Sequence, residues 1–162
     1  MHAVPLGDSV SGQLVLGSFT DVGPDPDSAM VEGGCDILVS LIQDDEIEMR
    51  YPDYGDWLAA AGDRVIRLPI PDYGVTDDES LIGLIDRLVA IVKGGTSVLV
   101  HCGGGIGRAG VVATLVLVSL GWTLPDAAAH VRANRPGAGP DSPAQLAQLE
   151  RVGEELAARS RS

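Results

Sequence analysis

The amino-acid sequence predicts an α/β fold: a three-layer sandwich in which a small, mainly parallel central sheet of about four strands lies between helices. Three observations carry this expectation. Short runs rich in Val, Ile and Leu alternate with longer stretches of helical spacing, the pattern of strands joined by crossover helices. The strand candidates are apolar at successive positions rather than alternating, as strands covered on both faces are. The last third holds no strand candidate and reads as helix.

Taken in order, the strand candidates are Leu14 to Leu16, Asp36 to Ile42, Arg64 to Pro69 and Ser97 to His101. Thr76-Asp77-Asp78-Glu79 has the form of a capping box, and an apolar stripe through Leu81, Ile85, Leu88 and Val92 follows it. Gly94-Gly95 ends that helix. Val111 to Leu120 is apolar on nearly every side and predicts a buried helix. Thr123 and Ser142 stand just before Pro125 and Pro143, which suits helices near 125–134 and 143–158. Tyr51, Tyr54 and Trp57 recur at helical spacing and predict packing on the core. Asp77, Asp78 and Glu79 read as a charged first helical turn, and Asp44, Asp45 and Glu46 as a solvated turn.

The length of 162 residues, 45% of them hydrophobic, suits a single domain over 1–162. A formal net charge of -12 opposes broad binding to nucleic acid or to an anionic membrane, both of which need a basic field. The start of the chain lacks the basic and apolar regions of a secretory signal, and the expected location is cytoplasmic. Two cysteines make no disulfide framework; Cys35 reads as core, and a bond to Cys102 under oxidation is a further expectation. No set of His, Cys and carboxylates has ligand spacing, so neither metal nor cofactor is expected. His2 reads as a tail residue and His130 as structural or exposed. The oligomeric state is not legible.

The stretch VLVHCGGGIGRAG, residues 98–110, supports two chemistries. From Gly105 it matches the glycine fingerprint of a dinucleotide site, after a strand and before a helix. That fold needs a second strand with an acidic residue downstream, whereas PDAAAHVRANRP has helical character and places Asp126 in a first turn. From Cys102 the same letters give Cys-x5-Arg. Glycines at 103, 104, 105 and 107 let the amides from Gly103 through Ile106 to Arg108 turn inward around an anion at a helix N-terminus. Arg108 suits bidentate capture of phosphoryl oxygens, and the positive field favours the thiolate of Cys102 as a nucleophile. His101 suits ordering of the loop.

VHCGGGIGRAG resembles the signature of the cysteine-dependent protein tyrosine and dual-specificity phosphatases. RLPIPDYGVTDDE resembles that family's mobile acid loop, and RPGAGPDSPAQ its Arg-Pro-Gly segment with a later Gln. The resemblance covers nearly the whole chain, and its central third is diagnostic. It implies a phosphate monoester hydrolase of the compact dual-specificity branch, working through a phosphocysteine. Cys102 would be the nucleophile, Arg108 and the loop amides the phosphate grip, Asp72 the acid and then base, and Gln145 the water positioner. Tyr73, beside Asp72, is the aromatic candidate for the rim, and one of Asp44, Asp45 and Glu46 is a candidate to orient Arg108. The substrate would be a phosphorylated protein or a small phosphomonoester.

Ala109 departs from the pattern, which has Ser or Thr there to assist departure of the thiolate from the intermediate. Two other readings follow. One is a phosphate-binding module with little turnover; the other is a phosphatase of a non-protein substrate such as a phosphoglucan or phosphoinositide.

Overall fold

The computed structural model describes residues 1–162. A five-stranded sheet is formed by β1 (His2–Val4), β2 (Leu14–Gly17), β3 (Ile37–Ser40), β4 (Val65–Arg67) and β5 (Val98–His101). Their order across the sheet is β1-β2-β5-β3-β4. The four expected strands form its parallel part, and β1 joins β2 antiparallel as an added edge. β1 carries no readable period, because only Val4 of its three residues is buried. His2, expected in a tail, therefore lies in a strand.

Helices α1 (Phe19–Val22) and α2 (Pro26–Gly33) link β2 to β3, and α3 (Asp44–Arg50) and α4 (Asp53–Ala60) link β3 to β4. α5 (Asp78–Lys93) links β4 to β5, and α6 (Gly107–Ser119), α7 (Leu124–Asn134) and α8 (Pro143–Ser160) complete the chain. The first four helices have at most eight residues each and bury too few side chains to display a period of 3.6. Asp44, Asp45 and Glu46 are accordingly the first turn of α3, not a loop.

α5 begins one residue later than its capping-box reading implies. Asp77 is the cap: its carboxylate accepts from the Ser80 amide at 2.7 Å and from the Ser80 hydroxyl at 2.8 Å. The preceding Thr76 contributes its carbonyl to Gln148 instead. α6 is buried on every side from Gly107 to Val118, packed by α5, α7 and α8. Gly110 is needed there, since a Cβ would strike the backbone at Gly139. α7 stands where a dinucleotide fold requires its second strand, and Asp126 lies in its first turn, so that reading falls.

Register places the chemistry. Gly17, Ser40 and His101 lie level across β2, β3 and β5, so the loop after β5 emerges at the centre of the sheet's carboxyl edge. Ser40 is level with His101, so Cys102 follows the carboxyl end of the strands, whereas Cys35 precedes the first residue of β3, Ile37. The length of β3 alone, roughly 10 Å at about 3.3 Å per residue, separates them. A disulfide needs Cα atoms within about 7 Å, so the expected bond between the two is excluded. Burial, with Asp36 alongside, pushes the Cys35 thiol up to about 11, which makes it an inert core group.

Candidate active site

The turn from Cys102 to Ile106 joins β5 to α6, and its carbonyls from Gly103 onward all face away from the pocket. Gly103 O accepts from the Phe19 amide at 2.9 Å, and Ile106 O from the amides of Gly110 and Gly139 at 3.0 Å each. Arg135, almost fully buried, donates from Nη2 to Gly104 O at 2.9 Å and from Nε to Gly105 O at 2.6 Å. Its Nη1 donates to His2 Nδ1 at 2.8 Å, so β1 braces the loop from behind. Fixing the carbonyls outward turns the amides inward, and none of the amides from Gly103 to Ala109 donates to another group of the chain. Together with the positive end of α6 this is an anion cradle, with the Cys102 side chain buried against it. Gly105, at φ +69, cannot carry a side chain without striking the Gly17 carbonyl.

Arg108 projects from the first turn of α6 and is held on three sides. Nη1 and Nη2 each donate at 2.8 Å to Glu46, Nη1 donates to Ile70 O at 2.8 Å, and Nη2 reaches Asp72 Oδ1 at 3.2 Å. This bidentate geometry suits a guanidinium and not an ammonium. Glu46 also accepts from the Gln43 amide at 2.8 Å. Burial alone raises the Glu46 carboxyl, but the bonds and charge of Arg108, the Gln43 amide and the charge of Arg50 outweigh it and hold it below its ordinary range. Among Asp44, Asp45 and Glu46, the residue that orients Arg108 is thus Glu46; Asp44 pairs with Arg67 at 2.6 Å.

His101 is wholly buried, and burial, reinforced by the charge of Arg108, pushes it down to about 4. Its neutral ring fixes one tautomer. Nδ1 faces the Cys102 carbonyl at 3.3 Å, which only accepts, so Nδ1 carries the proton and Nε2 accepts from the Tyr54 hydroxyl at 2.5 Å. Tyr54 packs edge-on against Phe19 and stacks on Trp57, as core packing of this aromatic group predicts. Unfolded, His101 takes up a proton near its ordinary 6.5. Between the two values the unfolded chain binds more protons, so stability falls as pH drops through that window, by up to about 3 kcal/mol. The carboxylate of Glu46 shifts below its own ordinary value and likewise loses its contribution on acidification. Urea unfolding near pH 7 and near pH 4.5 is expected to show this slope reduced in His101→Gln; an unchanged slope would remove His101 as its source.

Asp72 and Tyr73 occupy a turn from Pro71 to Gly74, closed by a 2.8 Å bond from the Gly74 amide to Pro71 O. Tyr73 adopts φ 59, a left-handed conformation that favours glycine, at a cost of about 1 kcal/mol. The residue is 62% exposed. The turn is tied down from α8: Gln145 Nε2 donates to Gly74 O at 3.2 Å, and Gln148 Nε2 to Thr76 O at 2.6 Å. The other end of the Gln145 amide accepts from the Asp141 amide at 2.8 Å. Asp141 Oδ2 lies where a Cβ on Gly107 would stand, at the first turn of α6.

Asp72, Tyr73, Cys102, Gly104, Ile106, Gly107 and Arg108 therefore line one cavity of about 290 Å³ with Asp141. Gly103 and Gly105 belong to the same loop but do not line the cavity, and neither do the buried His101, Ala109 and Gln145. Tyr54, Arg135, Gln148 and Asp141 are additions that sequence reasoning did not assign, and Glu46 is singled out from a triplet that it left undivided. The RPG segment was a signal for Arg135, whereas Glu46, Tyr54 and Asp141 act through contacts across the sheet edge that no local pattern reveals.

A mainly parallel sheet with a cysteine at its carboxyl edge, inside a loop of inward amides and above a helix N-terminus, defines a phosphate-handling α/β domain. The chain matches the family model described as "PTP-SAK: Swiss Army Knife protein, DSP-PTPase phosphatase domain" over residues 25–151 and belongs to that family. It is 28% identical over 100 residues to cyclin-dependent kinase inhibitor 3 of Rattus norvegicus, covering 62% of this chain and 47% of the relative. The chain thus aligns with about half the length of that curated relative. Among solved structures, Tk-PTP in its active form is similar with a TM-score of 0.68 and 27% identity, over 94% of this chain and 96% of that one. Human DUSP28 is similar with a TM-score of 0.71 and 25% identity, over 96% of this chain and 99% of that one.

Proposed function

We propose that this domain hydrolyses phosphate monoesters, phosphotyrosine foremost with phosphoserine and phosphothreonine as further substrates, through a phosphocysteine and without a metal or cofactor. The observation that carries the reading is the cradle of unpaired amides around Cys102, completed by Arg108. The phosphoryl oxygens sit on the amides from Gly103 to Arg108 and on the Arg108 guanidinium. The Cys102 thiolate attacks phosphorus, the bond from phosphorus to the ester oxygen breaks, and Asp72 gives its proton to that oxygen. In the second step Asp72, now a carboxylate, takes a proton from water as the water oxygen attacks phosphorus. The bond from sulfur to phosphorus breaks, and thiolate and inorganic phosphate result.

Glu46 and Ile70 O aim the Arg108 fork, and Arg135 and His101 keep the loop carbonyls turned outward. Both ends of the Gln145 amide are engaged with backbone. We therefore read Gln145 as a tie on the acid loop in place of the water positioner that the family resemblance implies. The second reading, a phosphate-binding module with little turnover, rests on Ala109, whose buried methyl supplies no hydroxyl to the departing thiolate.

The deciding experiment is release of p-nitrophenol from its phosphate ester with a chelator and a thiol reductant present. Turnover that inorganic phosphate inhibits competitively is the expected result. Phosphate binding without turnover would overturn the enzymatic reading in favour of the binding module.

A further inference from the structure

The charge distribution at the mouth of the cavity bears on which monoester enters it, and the inference drawn from it rests on the phosphatase reading above. Arg108 is the one cation that lines the cavity, its side chain is only 2% exposed, and Glu46 faces it through two bonds of 2.8 Å. Beyond the cradle the lining presents two acidic residues: Asp72, 56% exposed, already meets Arg108 at 3.2 Å, whereas Asp141 has no Lys or Arg paired with it. Asp141 is fixed there by structure. Its amide is held by Gln145 at 2.8 Å, and Gly107, which has no side chain, leaves the space that the carboxylate occupies. The exposed Tyr73, next to Asp72 in the turn, lines the same cavity and is kept at φ 59 where glycine would be unstrained. A net charge of -12 extends the same sign of field outward.

We propose that this mouth selects phosphopeptides with Lys or Arg beside the phosphorylated residue and discriminates against polyanionic monoesters. Arg108 and the amides neutralise one phosphoryl group. Asp72 enters the reaction as the protonated acid, so a further anionic group on the substrate meets the charge of Asp141, whereas a basic side chain gains an ion pair with Asp141 and a contact with the face of Tyr73. Tyr73 and Asp141 are thus specificity residues, and the strained backbone at Tyr73 places an aromatic ring that glycine would not provide.

The test compares kcat/KM on one phosphotyrosyl peptide flanked by Arg, the same peptide flanked by Glu, and a short-chain phosphoinositide bisphosphate, with p-nitrophenyl phosphate as the reference without a flank. The Arg-flanked peptide is expected to exceed the Glu-flanked one by about tenfold or more, with the phosphoinositide slowest. That ratio is expected to shrink about threefold or more in Asp141→Asn and in ~0.5 M salt. Equal values for the two peptides, or a preference for the Glu-flanked peptide or the phosphoinositide, would overturn the charge selection while p-nitrophenyl phosphate turnover upheld the phosphatase. Absence of turnover on all four would overturn the phosphatase reading and this proposal with it.

Discussion

Cys102→Ser is expected to abolish p-nitrophenol release, a loss on the order of 10⁴-fold or more. A serine hydroxyl at this position is a far weaker nucleophile than a thiolate, and no side chain hydrogen-bonds the Cys102 side chain to activate a hydroxyl there. His101 is committed below the loop, with Nδ1 facing the Cys102 carbonyl and Nε2 accepting from the Tyr54 hydroxyl. The cradle itself uses backbone amides and Arg108, so the substitution leaves the phosphate grip in place. Inorganic phosphate binding that survives in the variant would separate lost chemistry from lost folding. Residual turnover within about tenfold of wild type would assign the reaction to another group.

The second large effect belongs to Asp72→Asn, and its size depends on the leaving group. Asn cannot give a proton to the ester oxygen, so the loss grows as that oxygen becomes more basic. Turnover of an alkyl phosphate or of phosphotyrosine is expected to fall by about 10²- to 10⁴-fold, and turnover of p-nitrophenyl phosphate by much less. The amide side chain keeps the size of the carboxylate and retains an oxygen for the contact that Asp72 makes with Arg108 at 3.2 Å. Equal losses on good and poor leaving groups would remove Asp72 from the acid role and leave it as a turn residue.

The parallel strands and the long helices were legible because each carries a dense apolar pattern: β5 is buried at every position, and α5 repeats its apolar stripe over sixteen residues. The nucleophile loop was legible for another reason. Cys102, four glycines and Arg108 lie within one short stretch, so spacing alone brings them together. What escaped the sequence lies across the fold. β1 has one buried residue and joins the sheet through backbone bonds. Glu46, in an acidic triplet with no pattern to separate its members, meets Arg108 only because β3 and β5 are parallel neighbours in register. The same register sets Cys35 and Cys102 at opposite ends of the sheet, which residue counting along the chain does not disclose. Gln145 was found through the family pattern, but its two backbone bonds show a contact role that the pattern does not describe.

Central to this mechanism is passage of the phosphoryl group through the sulfur of Cys102. The most direct measurement mixes enzyme with excess p-nitrophenyl phosphate, quenches with acid in the first turnover, and maps phosphorylation by mass spectrometry. Ala109 offers no hydroxyl to speed breakdown of the intermediate, which favours its accumulation ahead of the second step. The predicted result is one phosphoryl group on Cys102, formed together with the first equivalent of p-nitrophenol. Steady turnover with no phosphoryl group on Cys102, undiminished in Cys102→Ser, would contradict it.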